Sequence, residues 1–416
     1  MLQRVAPALL VLSLVLPHAS QAQVKGRQWF TYDEAFGGAG RFGGQTGLQA
    51  LPVVTGWLDA EHWLEMRDGK VWKVRAADGT ATLHQDPAGL TEISPKGIAT
   101  GPVAARTADD RLHIHVVNGD LWAVDVAGRT ARRLTQTAAA EENPTLSPDG
   151  GQVAYTRGGN LFTYDLSARL ERQLTTDGND TVRNGYASWV YMEEILGRAS
   201  GYRAFWWSPD STRLAFLRFD DAPVPVFPIY WADGQHGRLE QQRYPKAGDP
   251  NPFVQVGVVG ANGGATTWMQ FPPKADHYLA WLSWTRDSQQ VVIQWMNREQ
   301  DTIRVLHGHP KTGAVTTLFE ETQSSWVNWF EDLTTLATGD LIVRSDVDGW
   351  DHLYLHGADG TRKRQLTSGA WRVRSILQVD EAAGVAYVLA QPGTIGETWN
   401  TELRRVRLDG SGTDTL

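Results

Sequence analysis

Two adjacent carboxylates, Glu193 and Glu194, stand within "ASWVYMEEILGRASGYRAFWWSPDSTRLAF", residues 187–216. Two acids drawn out of water side by side repel each other and need a cation to hold them there. A primary ammonium suits the pair, because it offers three donors on a compact, charged head. Each charge-assisted bond of that kind contributes roughly 1.5–3 kcal/mol. Calcium or zinc is the competing cation, but two carboxylates without a neighbouring His or Asp are a thin ligand set for either. The segment reads as a helix of two or three turns, with Ser188 as N-cap and Gly197 or Gly201 as the stop. Neighbours on a helix lie about 100° apart, so the two acids would straddle one small object rather than stack. The plain alternative is a solvated helix face. Trp189, Tyr191, Tyr202, Trp206 and Trp207 argue against full exposure.

The elements that must position this pair recur along the chain. One phrase repeats: Ser-Pro or a relative, an alternating strand, a Gly/Asn/Asp turn, a second strand, and a strand closing on "LT", as in "LSPDGGQVAYTRGGNLFTYDLSARLERQLT". The closing apolar residues are Leu83, Leu134, Leu174, Trp268, Leu318, Leu366 and Leu416, spaced by 40 to 51 residues except for the 94 between Leu174 and Trp268. That unit fits a propeller blade of four short strands. The expected fold is therefore all-β: a β-propeller of which about seven blades are present, with a helical insertion carrying the Glu-Glu pair. A β-sandwich would not repeat seven times at this period. The long interval places Glu193 and Glu194 on an insertion outside the regular scaffold, where binding residues tend to gather.

The first 22 residues, "MLQRVAPALLVLSLVLPHASQA", have one basic residue, a short apolar run and small residues at a cleavage position. They read as a secretory signal peptide cut after Ala22, so the expected location is periplasmic or secreted. Residues 23–52 form a lead-in segment and 53–416 the propeller. The formal charge is −8 and no basic tract remains, which speaks against nucleic acid as a partner. There is no cysteine, so thiol nucleophiles and disulfides are excluded. No cofactor or metal is expected. The histidine pairs "HIH" (His113, His115) and "HGH" (His307, His309) have strand and turn spacings, and His352 reads as structural.

"WVYMEEI", "AFWWSPD", "FDDAPVPVFPIYW" and "RYPKAGDPNP" together resemble the dipeptidyl peptidase IV family of prolyl oligopeptidase-type serine peptidases. The family pattern is Asp-Trp-Val-Tyr-Glu-Glu-Glu, and its second and third glutamates fall on Glu193 and Glu194. The resemblance implies that these two bind the free N-terminal amine of a peptide substrate, fixing removal of X-Pro or X-Ala dipeptides. Ser188 and Met192 depart from the pattern at the aspartate and the first glutamate. "SSWVNWF" resembles a family segment ending Gly-Arg-Phe, which would put Trp329 and Phe330 at the substrate pocket with the arginine replaced. The family also takes an arginine from an early blade to the substrate carbonyl, for which Arg111 is the candidate.

That family needs a nucleophile elbow, G-x-S-x-G, on an α/β-hydrolase sheet. None occurs in these 416 residues, nor does the βαβ alternation that would build the sheet. The expectation is the N-terminal propeller of a longer enzyme, with the C-terminal α/β-hydrolase domain missing here, one blade short of the family's eight, and without peptidase activity of its own. Its partners would be peptides with a free N-terminus and that hydrolase domain, with a homodimer compatible with the complete enzyme. A free-standing propeller that binds peptides or protein partners without chemistry is the rival reading.

Overall fold

The computed structural model describes residues 53–86, 103–393 and 400–416. The signal-peptide reading for residues 1–22 and the lead-in at 23–52 lie outside the described residues. The described chain folds into seven four-stranded antiparallel sheets, blades 1 to 7, at 53–85, 105–133, 142–173, 182–268, 277–322, 334–365 and 371–415, arranged as a β-propeller. Within each blade, strands adjacent in sequence pair with one another. The seven closing residues read from the sequence each fall in a blade's fourth strand or one residue past it.

The repeated phrase works through hydrogen bonds. In blade 3, Ser147 Oγ donates to Asp149 Oδ1 at 2.6 Å and accepts the Gln152 N–H at 2.9 Å. The same turn recurs as Ser208 with Asp210, Thr285 with Asp287, and Thr107 with Asp109. Neighbouring blades are stitched by these turns: Asp149 N–H donates to Ser211 Oγ, and Asp210 N–H to Ser288 Oγ, each at 3.1 Å. The closing "LT" acts likewise, since the threonine hydroxyl accepts a backbone N–H of the third strand at Leu121, Leu161 and Leu353. The Asn118-Gly119 pair turns between strands with both residues at positive φ, the geometry a two-residue hairpin loop requires.

Blade 4 departs from this scheme. Its first strand is broken into two pieces, Val182–Asn184 and Phe205–Trp207, and both pair with the long second strand Arg213–Asp220. The chain between the pieces leaves the sheet and returns to it, closed at its base by the Tyr186–Arg203 bridge and the stacked Tyr186 and Tyr202 rings, 4.9 Å apart. A second excursion follows after Asp220, a hairpin of Val226–Trp231 and Arg238–Arg243. The single insertion expected from the long interval is thus two, both in blade 4.

Asp221 sits at the root of the hairpin, almost fully buried, 3.2 Å from Arg183 Nη1. Its carbonyl accepts from Arg243 Nη1 at 3.2 Å, and its Oδ1 has no hydrogen-bond partner among the described residues. Burial outweighs the neighbouring Arg183 and Arg243 charges and pushes the carboxyl up to about 6. The unfolded chain ionises this group near 3.8 while the folded chain keeps it neutral, so its effect is destabilisation that grows from about pH 4 and levels off above pH 6. Asp221→Asn removes that dependence. The stability of the parent should fall relative to the variant by on the order of 2–3 kcal/mol between pH 4 and 7. Urea unfolding of both proteins at several pH values reads the difference, and parallel pH profiles would contradict it.

Candidate functional site

Tyr191–Ile195 forms one wide π-helical turn, closed by Leu196 N–H on the Tyr191 carbonyl at 2.7 Å. Trp189 and Val190 lead into it in α-helical conformation, so the expected helix of two or three turns is present as a short, mainly π-helical stretch over 189–195. Both ends of the excursion are tied to neighbouring positions of one strand, so the chain must go out and come back. Ser188 does not cap it by its side chain: its Oγ is buried without a partner among the described residues, and its carbonyl accepts the Met192 N–H instead. Gly197, at φ 75°, ends the turn, and Gly201, at φ 57°, ends a short 3-10 segment, Arg198–Ser200.

Tyr191, Met192, Ile195 and Leu196 all enter the main core, which leaves the two glutamates on the outer side. Tyr191 is the anchor. It is fully buried, meets the Phe219 ring edge-on at 4.7 Å, and accepts the Leu279 N–H of blade 5 on its hydroxyl at 3.3 Å. Burial holds that hydroxyl protonated, well above the usual tyrosine range. Met192, where the resembling pattern has a glutamate, is a core residue.

Glu194 opens into a cavity of about 600 Å³ that reaches from the blade 4 excursion to blade 7. Val190 and Ile195 flank it there, Tyr278 and Gln300 come from blade 5, and Trp326, Val327, Asn328, Trp329, Phe330 and Glu331 from the link to blade 6. Arg344, Ser345, Asp346 and Asp351 of blade 6 and Arg372 of blade 7 complete the wall. Gln294 positions the link, accepting the Phe330 N–H and donating to the Phe330 carbonyl, both at 3.0 Å. Val327 N–H bonds the Gln300 carbonyl at 2.9 Å. Tyr278 is fixed by donors from Asn251 at 2.9 Å and Arg298 at 3.2 Å, so "GDPNP" supports the wall from behind.

The structure therefore brings Glu194, Trp329 and Phe330 to one cavity and divides the glutamate pair. Glu193 is not part of the wall; Arg198 Nε donates to its Oε1 at 2.8 Å. Glu194 makes no hydrogen bond or ion pair among the described residues. Arg111 lies elsewhere, exposed, directly after Asp110, which holds positive φ in the blade 2 version of the repeated turn; its N–H donates to Asp109 Oδ1 at 3.2 Å. It occupies a place in the scaffold equivalent to Gly151 in blade 3, far in role from a cavity residue.

The cavity's own arginines are Arg344 and Arg372, which the sequence reading missed. Arg344 is held by Asp332 at 2.8 Å, Asp351 at 3.4 Å and Glu331 at 3.7 Å. Arg372 shares Asp351 at 4.0 Å. A charged residue directly after the apolar run "LIV" of the strand "LIVRS" was the available signal, since a cation beside such a run needs a designated partner. His352 is structural, with Nδ1 on Thr367 Oγ1 and Nε2 on the Gly369 carbonyl. No group of three His, Asp or Glu side chains suited to a metal ion occurs among the described residues.

Four-stranded blades joined by a common turn, with a cavity lined by acids, arginines and aromatic residues between the blade 4 excursion and blade 7, define a β-propeller with a polar cavity. The chain belongs to the dipeptidyl peptidase IV family: the family's N-terminal region matches residues 102–414. It is 32% identical over 260 residues to a probable dipeptidyl peptidase 4 of Aspergillus clavatus, covering 59% of this chain and 33% of that protein. It is 31% identical over 258 residues to human prolyl endopeptidase FAP, covering 56% of this chain and 33% of that one. The chain thus spans about a third of the length of the curated relatives it matches. The crystal structure of Porphyromonas gingivalis dipeptidyl peptidase 4 superposes with a TM-score of 0.76 at 24% identity, over 88% of this chain and 52% of that one, a likeness of fold.

Proposed function

We propose that this chain is the substrate-gating propeller of an exported serine dipeptidyl peptidase, and that it holds the free N-terminal amine of the peptide to be shortened. The single observation carrying this reading is Glu194, a carboxylate unpaired among the described residues and opening into a cavity walled by Trp329 and Phe330. Relatives named dipeptidyl peptidase 4 support the substrate class. Bond cleavage belongs to a C-terminal α/β-hydrolase domain outside these residues. Glu194 is the primary amine ligand. Glu193 joins it when the ammonium displaces Arg198, whose side chain is 79% exposed and returns to water at little cost.

Competition by Arg198 gives the reading a sign that a merely solvated acid pair would lack. Arg198→Ala should tighten binding of a free-amine peptide severalfold and leave an N-acetylated peptide unaffected, as read by titration calorimetry. The function itself is tested by assaying dipeptide release from Gly-Pro and Ala-Pro chromogenic substrates. The chain of residues 23–416 should release none, whereas a polypeptide that continues into a G-x-S-x-G hydrolase domain should release dipeptides. Release by the shorter chain would overturn the assignment of chemistry, and inactivity of the longer one would favour a propeller that only binds.

A further inference from the structure

The cavity carries more negative charge than one ammonium would neutralise. Its wall contains four carboxylates, Glu194, Glu331, Asp346 and Asp351, against two guanidiniums, Arg344 and Arg372. The arginines are already committed: Arg344 lies nearest Asp332 and Asp351, and Arg372 pairs with Asp351 and donates to Gln391 at 2.8 Å. Among the described residues the Asp346 carboxylate is held only by neutral amides, those of Gln323 at 2.7 Å and Asn328 at 2.9 Å, which orient it without cancelling its charge. Glu331 reaches Arg344 only at 3.7 Å and its side chain is 58% exposed. The aromatic wall beside these acids is also open, with Trp326 55% exposed.

We propose that Glu331, with Asp346 in the same wall, is a specificity determinant that favours peptides whose N-terminal residue has a basic side chain, lysine or arginine. The inference rests on the amine-binding reading of Glu194, because a peptide anchored there by its α-amine carries the side chain of its first residue into the same cavity. The long aliphatic stem of lysine or arginine lies along the tryptophans, and the charged head meets Glu331. A neutral first residue leaves the excess carboxylates uncompensated. Opposite charges meeting in a partly enclosed cavity gain more than an exposed pair, and the gain weakens with salt.

The test uses calorimetric titration of the chain with the tripeptides Lys-Pro-Ala and norleucine-Pro-Ala, the latter matching the lysine stem without its charge. The lysine peptide is expected to bind on the order of tenfold tighter at low salt, with Glu331→Gln removing most of that preference by weakening the lysine peptide. Glu331 is exposed, so the variant keeps its fold. Equal binding of the two peptides, both still weakened by N-acetylation, would overturn the specificity and leave the amine reading intact. Binding indifferent to acetylation, or no binding by either peptide, would overturn both. A lysine preference that survives Glu331→Gln would also contradict the assignment to this residue.

Discussion

Glu194→Gln weakens binding of a free-amine peptide by about 1.5–3 kcal/mol, roughly ten- to a hundredfold. The substitution keeps the shape of the side chain and removes the one cavity carboxylate that has no partner of its own among the described residues. Glu193→Gln should have the smaller effect, because Glu193 is engaged by Arg198 and reaches the ligand only by exchange. The asymmetry follows from the geometry rather than from the residue types, which are identical. In a complete enzyme the Glu194 loss should appear in kcat/KM for free-amine substrates, since the amine fixes the distance to the scissile bond. Equal losses at the two positions would mean that Arg198 does not hold Glu193 in solution.

Tyr191→Ala is expected to destabilise the protein by about 3–5 kcal/mol, the range for removing a large buried aromatic side chain. Its ring fills the core between Phe219 and Tyr278, and its hydroxyl ties the π turn to blade 5. Tyr191→Phe loses only the hydroxyl contact and should cost about 1 kcal/mol. Urea unfolding separates the two. The alanine variant should also lose amine binding, because the turn carrying Glu194 has no other ring on its inner side bonded to the neighbouring blade. A Tyr191→Ala protein of near-parent stability would show that the turn is held from elsewhere.

The propeller was legible because its repeat is a hydrogen-bonding device. Ser147, Ser208, Thr285 and Thr107 recur at the same place for the same reason, and Thr135, Thr175 and Thr367 close the blades in the same way. Glu194, Trp329 and Phe330 could be picked out by motif, and they do meet. The π turn could not be read, because its shape comes from both ends being tied to Arg213–Asp220, a tertiary constraint that local helix propensity does not contain. Arg344 and Asp351 escaped because their pairing joins a strand to a turn across blade 6, and an arginine in a tight turn such as Arg111 looks the same in sequence whether it faces a cavity or solvent. The division of Glu193 from Glu194 depends on Arg198, five residues on, reaching back across Gly197.

Calorimetric titration of the chain with Ala-Pro-Ala and its N-acetylated form, at pH 7 and again at pH 10, tests the central claim most directly. An α-amine has its pKa near 7.7–8.0, so the free peptide is a cation at the lower pH and neutral at the higher. If Glu194 and its neighbour bind that charge, the free peptide binds at least tenfold tighter than the acetylated one at pH 7, and the advantage disappears at pH 10. Equal affinity of the two peptides at pH 7 would contradict the account, leaving the glutamates a solvated face beside a cavity that serves something else.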